Sequence, residues 1–138
     1  MTALLALPVQ LRLAGSVAIA LGVAHLVLPR LLGWPADLLA MRPLSRLVVG
    51  LHTGFTGLTC VVLGVLLWPA DELLAPGLLA RTVLAAQTVF WGARWVCEVV
   101  LVSRVVRTAP VPWRVAHGVA LAGWAWLTSV PAAALLAH

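Results

Sequence analysis

The sequence predicts an all-α integral membrane protein: four transmembrane helices in an antiparallel bundle, with both termini outside. Three observations predict it. Of 138 residues, 63% are hydrophobic and 9% charged, with mean hydropathy +1.09, whereas a soluble domain of this size needs more charge to cover its surface. The apolar residues fall into four runs, each near the ~20 residues that a bilayer requires, and together they fill residues 1–138 as one domain. Arginines gather in alternate loops, as the positive-inside rule requires of consecutive spans.

The first span runs over 9–28 and stops at Pro29, the second over 44–68 and stops at Pro69, the third over 78–106, and the fourth over 113–137. Prolines 29, 35, 43, 69, 76, 110 and 112 mark the breaks, where the backbone can leave hydrocarbon. The N-terminal stretch MTALLALPVQLRLAG has no basic segment before its apolar run and no small-x-small cleavage site, so it reads as mature chain rather than a signal peptide. Two connecting segments echo one another, GWPADLLA at 33–40 and LWPADELLA at 67–75. In each, Trp anchors at headgroup level, Pro opens a short helical turn and Asp sits near its positive end.

Orientation follows from charge. Arg30, Arg42 and Arg46 lie between spans one and two, and Arg104, Arg107 and Arg114 between spans three and four; the other face has Arg12 and Arg81 with Asp71 and Glu72. The first two groups are therefore cytoplasmic. All nine basic residues are Arg, and Lys, Asn and Tyr are absent, which looks like the coding bias of GC-rich bacteria and carries no mechanistic weight; the expected location is the bacterial cytoplasmic (inner) membrane, as a multi-pass protein. A pI near 11.5 does not indicate nucleic acid, because the arginines mark span ends instead of one basic face. Cys60 and Cys97 lack a paired spacing and read as small packing residues.

The expected site lies in the cytoplasmic leaflet, where each span contributes an ionisable residue: His25, His52, Arg94 with Glu98, and His117. At about 100° per residue, Gln87, Trp91, Arg94 and Glu98 form one stripe of span three, and Trp113, His117, Trp124 and Thr128 one of span four. In span two, His52, Thr56 and Thr59 share a face, while Gly50, Gly54, Gly57 and Gly64 form a stripe on the far side, suited to close approach of another helix. His25 shares a face with Ala14, Ala18 and Gly22. Trp126 points away from the His117 stripe and is expected to face lipid. Ionisable groups at membrane depth are costly and require a partner or a wet cavity.

These residues predict a polar pocket that binds, or acts by acid–base chemistry on, an amphipathic or lipophilic small molecule. His52, Glu98 and His117 are the candidate proton carriers. Arg94 would hold an oxygen anion or carbonyl, with Gln87, Trp91, Trp124, Phe55 and Thr56 around the ligand. Three other readings stay open: a metal or b-haem redox protein using His25, His52, His117 and Glu98, a small proton-coupled transporter, and a structural or assembly subunit. Arg94 and Glu98 could also serve only each other, and the span threonines could bond back to their own helices. The bilayer and a homo-oligomeric partner complete the expected contacts. In size, span count and Arg- and Gly-rich spans the chain is similar to small bacterial four-span proteins such as the DoxX-like group; no residue role follows from that likeness.

Overall fold

The computed structural model describes residues 7–138, which are largely helical, with no β-strand among them. In chain order the helices are α1 (Leu7–Ala24), α2 (Leu28–Leu31), α3 (Trp34–Leu39), α4 (Pro43–Leu66), α5 (Ala70–Leu74), α6 (Leu78–Cys97), α7 (Ser103–Val106) and α8 (Val111–Leu136). A π-helical turn over Glu98–Val102 joins α6 to α7. The reading of residues 1–6 as mature chain lies outside the described residues.

Three helices, α1, α4 and α8, are long and apolar enough to cross a membrane, and mark the chain as a membrane protein. They match the first, second and fourth expected spans. The third expected span, 78–106, is resolved into α6, the π turn and α7, and α6 is less apolar than the other three. Arg81, Gln87 and Arg94 account for the difference.

Proline sets where helices begin more than where they end. Pro29, Pro35, Pro43 and Pro112 occupy the first positions of α2, α3, α4 and α8, where a missing N–H costs nothing and φ is already helical. Gly33, with φ 71°, takes the left-handed turn between α2 and α3 that side chains disfavour. Both copies of the WPAD echo form short helices, with Asp37 in the first turn of α3 and Asp71 and Glu72 in that of α5. Negative charge in a first turn suits the positive end of the helix dipole.

The chain divides into two compact units: Arg12–Trp68, and residues 7–11 together with Pro69–His138. In the first unit, α1 and the antiparallel α4 meet at paired glycines. A Cβ built on Gly15 would stand 2.6 Å from the Gly64 carbonyl oxygen, and one on Gly22 would stand 2.5 Å from that of Gly57. The reverse substitutions meet Gly15 and Gly22 at 2.5 and 2.9 Å. Here backbone touches backbone, which is how helices associate where lipid supplies no hydrophobic drive. Only half of the glycine stripe in α4 serves this contact, since a Cβ on Gly50 or Gly54 meets nothing within 4 Å.

In the second unit α6 packs on α8, and the core includes Leu84, Gln87, Trp91 and Glu98 from the α6 strand of chain and Leu127, Val130, Pro131 and Ala134 from α8. The His138 ring lies 2.8 Å from the Leu73 carbonyl, tying the end of α8 to α5. Trp126 departs from the lipid-facing expectation: it is half-buried and its indole N–H donates to Gln10 Oε1 at 3.0 Å. A hydrogen bond to its ring nitrogen outweighs lipid contact for an indole at membrane depth. Among the described residues neither cysteine forms a disulfide; Cys60 is buried, in keeping with a packing role, and Cys97 is exposed.

Candidate functional site

The site grows from one stripe of α6 meeting one stripe of α8. Gln87 and Trp91 are fully buried one turn apart, and the indole N–H of Trp91 donates to Gln87 Oε1 at 2.8 Å. Trp91 stacks on Trp124 of α8, with centroids 5.6 Å apart and planes 15° from parallel, and Phe90 meets its edge at 5.0 Å. The next turn of α6 places the Arg94 guanidinium 4.8 Å from the Trp124 centroid, a cation–π contact. Trp124 Nε1 is buried and has no hydrogen-bond partner among the described residues.

One turn further stands Glu98, 4% exposed. Its Oε2 lies 2.6 Å from Arg94 Nη1, and its Oε1 accepts from His117 Nδ1 at 2.8 Å. The far ring nitrogen, His117 Nε2, lies 2.8 Å from Ser103 Oγ. Ser103 in turn donates its hydroxyl to the Glu98 carbonyl at 3.1 Å, and its backbone N–H bonds the same oxygen. The π turn makes this possible. Five residues at α-helical spacing would set Glu98 and Ser103 about 140° apart, whereas the widened turn brings Ser103 back beneath Glu98 and onto His117.

This closed circuit fixes the chemistry. A carboxylate accepts at Nδ1, so that nitrogen carries a proton. With the Ser103 hydroxyl turned to the Glu98 carbonyl, Nε2 must donate to Ser103, and the ring is an imidazolium held between carboxylate and hydroxyl. With the hydroxyl turned to Nε2, the ring is neutral. The two orientations of the Ser103 hydroxyl therefore match two hydrogen-bonding forms of the His117 ring, and its bond to Glu98 is kept in both. The order Ser103–His117–Glu98 is also that of a nucleophile, base and orienting carboxylate. Ser103, however, lies inside continuous helix with its N–H engaged, so the turn offers no backbone donors for an oxyanion.

Beside the cluster, an open apolar groove of about 910 Å³ runs along α6 past Thr82, Ala86, Val89, Phe90 and Ala93 to Arg94 and Cys97. Arg94 is 40% exposed at this end, so it touches both the groove and Glu98.

Of the residues expected at the site, Gln87, Trp91, Arg94, Glu98, His117 and Trp124 are brought together. His52, Phe55 and Thr56 belong to the Arg12–Trp68 unit. His52 and Phe55 are exposed there, and Thr56 donates to the His52 carbonyl at 2.8 Å, as Thr59 does to that of Phe55. His25 uses its ring differently: Nδ1 lies 2.7 Å from the Leu21 carbonyl and closes the end of α1, a common use of His at a helix C-terminus. Among the described residues no three His, Cys, Asp or Glu side chains gather as metal ligands; His25 and His52 lie in the Arg12–Trp68 unit, and His117 and Glu98 in the other. Of these, Glu98 and His117 alone are in contact as described. Sequence periodicity missed Ser103, because its place depends on the π turn. No protein-family model, curated protein or solved structure matches this chain.

Proposed function

We propose that this is a four-span bacterial inner-membrane protein, N-out and C-out, that binds an amphipathic small molecule with its polar oxygen at Arg94 and its chain along the α6 groove. The observation that carries the reading is what borders the groove: an open apolar surface reaches a half-exposed guanidinium, which is paired with Glu98 and through it linked to His117 and Ser103. Arg94 supplies a planar donor fork for a carboxylate or carbonyl, and the circuit supplies acid–base chemistry next to it.

The span from 78 to 106 is about 43 Å of helix at ~1.5 Å per residue, long enough to cross. The ionisable groups Arg94 and Glu98 within it are paired, which is the condition for polar residues at that depth. Topology is tested by single cysteines in a Cys60→Ala/Cys97→Ser background. Positions in 30–46 and 104–114 are expected to react only after the membrane is permeabilised from the cytoplasmic side, and His138→Cys from outside. A cytoplasmic His138→Cys label would overturn the orientation.

Binding is tested with a brominated long-chain carboxylic acid, whose bromines quench tryptophan within contact range. Saturable quenching is expected in the wild type, weakened about tenfold by Ala86→Leu, which narrows the groove, and by Arg94→Lys, which keeps charge and loses the fork. The matching brominated alcohol should bind more weakly. Equal quenching by acid and alcohol, unaffected by either substitution, would show a lipid-facing helix surface and no ligand site.

A further inference from the structure

A second, smaller pocket of about 240 Å³ is lined by Ser103, Val106, Arg107, Arg114, His117 and Leu121. Two arginines thus border one small space, with the far face of the proton circuit as a third wall. Among the described residues no acidic side chain pairs with either of them. The sequence holds four acidic residues, Asp37, Asp71, Glu72 and Glu98. Of these, Glu98 is in the circuit, and its carboxylate is taken by Arg94 and His117. Neither Arg107 nor Arg114 forms an ion pair among the described residues.

We infer that this pocket binds a phosphate oxyanion, either the headgroup of an anionic phospholipid or free phosphate. Two guanidinium forks match phosphate oxygens bidentately, and Ser103 and His117, bonded to each other, form the wall between them. Val106 and Leu121 give the space an apolar side, which suits the glycerol end of a lipid. The inference goes beyond the groove reading and does not depend on it, since Arg94 plays no part here.

The test uses the full-length protein in a phosphate-free detergent, with short-chain phosphatidylglycerol and phosphatidylcholine titrated in and binding read by native mass spectrometry. Phosphatidylglycerol is expected to bind one-to-one. Arg107→Gln and Arg114→Gln should each weaken it about tenfold, the effect of one charged hydrogen-bonding group. Arg104→Gln, which removes the same charge from the same segment but does not line the pocket, should change it less than about twofold, because a charge away from the bound anion acts on it only through screened solvent. Inorganic phosphate at matched ionic strength then separates the sources: displacement of the lipid assigns a free-phosphate site, and failure to displace it assigns a headgroup site. Equal losses in all three variants, or equal binding of the two lipids, would overturn the inference and reduce these arginines to a diffuse interfacial charge.

Discussion

Arg94→Leu is expected to lower stability by about 3–5 kcal/mol, and adding Glu98→Leu to recover most of that loss. The single replacement leaves the Glu98 carboxylate, 4% exposed, with only the His117 ring for a partner. An uncompensated charge in a low-dielectric interior is among the largest penalties one substitution can cause. The double replacement removes both charges and fills similar space with apolar atoms, while His117 keeps Ser103. Denaturant unfolding in detergent micelles, followed by tryptophan fluorescence, measures both. Should the double variant stay as unstable as the single one, the loss would trace to the guanidinium stacked on Trp124 instead of to the buried carboxylate. Stability and ligand binding can then be read apart: a stable double variant that no longer binds the brominated acid separates the role of the pair in folding from its role toward a ligand.

Substitutions at the glycines of α4 are expected to split by sign. Gly64→Ala and Gly57→Ala should each destabilise by about 1–3 kcal/mol, the cost of overpacking a rigid contact. The new methyl would stand 2.5 Å from the Gly15 carbonyl oxygen in one case and 2.9 Å from that of Gly22 in the other, and backbone cannot move aside as a flexible side chain does. Separation of α1 from α4 is the only relief, at the expense of the dispersion contacts that hold helices together in lipid. Gly50→Ala and Gly54→Ala should instead stabilise by up to about 1 kcal/mol, since alanine is the better helix former and the added methyl meets nothing within 4 Å. The same unfolding assay reads all four. Equal destabilisation at Gly50 and Gly64 would show that the whole stripe is a contact surface, and would overturn the pairing of Gly15 with Gly64 and Gly22 with Gly57.

Much of this protein was legible in its sequence because a helix repeats every ~3.6 residues and a bilayer demands a fixed apolar length. Those two constraints determined the helical class and the expected spans, three of which correspond to α1, α4 and α8. They also placed Gln87, Trp91, Arg94 and Glu98 on one face of α6 before any neighbour was known. Periodicity, however, names a face and not what meets it. That Arg94 lies over Trp124 and Glu98 reaches His117 depends on how α6 packs on α8. The use of Trp126 at Gln10 was likewise decided by tertiary geometry, as was the division of the α4 glycines into a packed pair and an open pair. Ser103 is the sharpest case. At α-helical spacing it belongs to a different face from Glu98, and the π turn at Glu98–Val102 rotates it into the circuit. No local pattern encodes that extra residue in the turn; it forms where the hydrogen bonds from Ser103 to the Glu98 carbonyl and to His117 together outweigh the regular helical bond that it replaces.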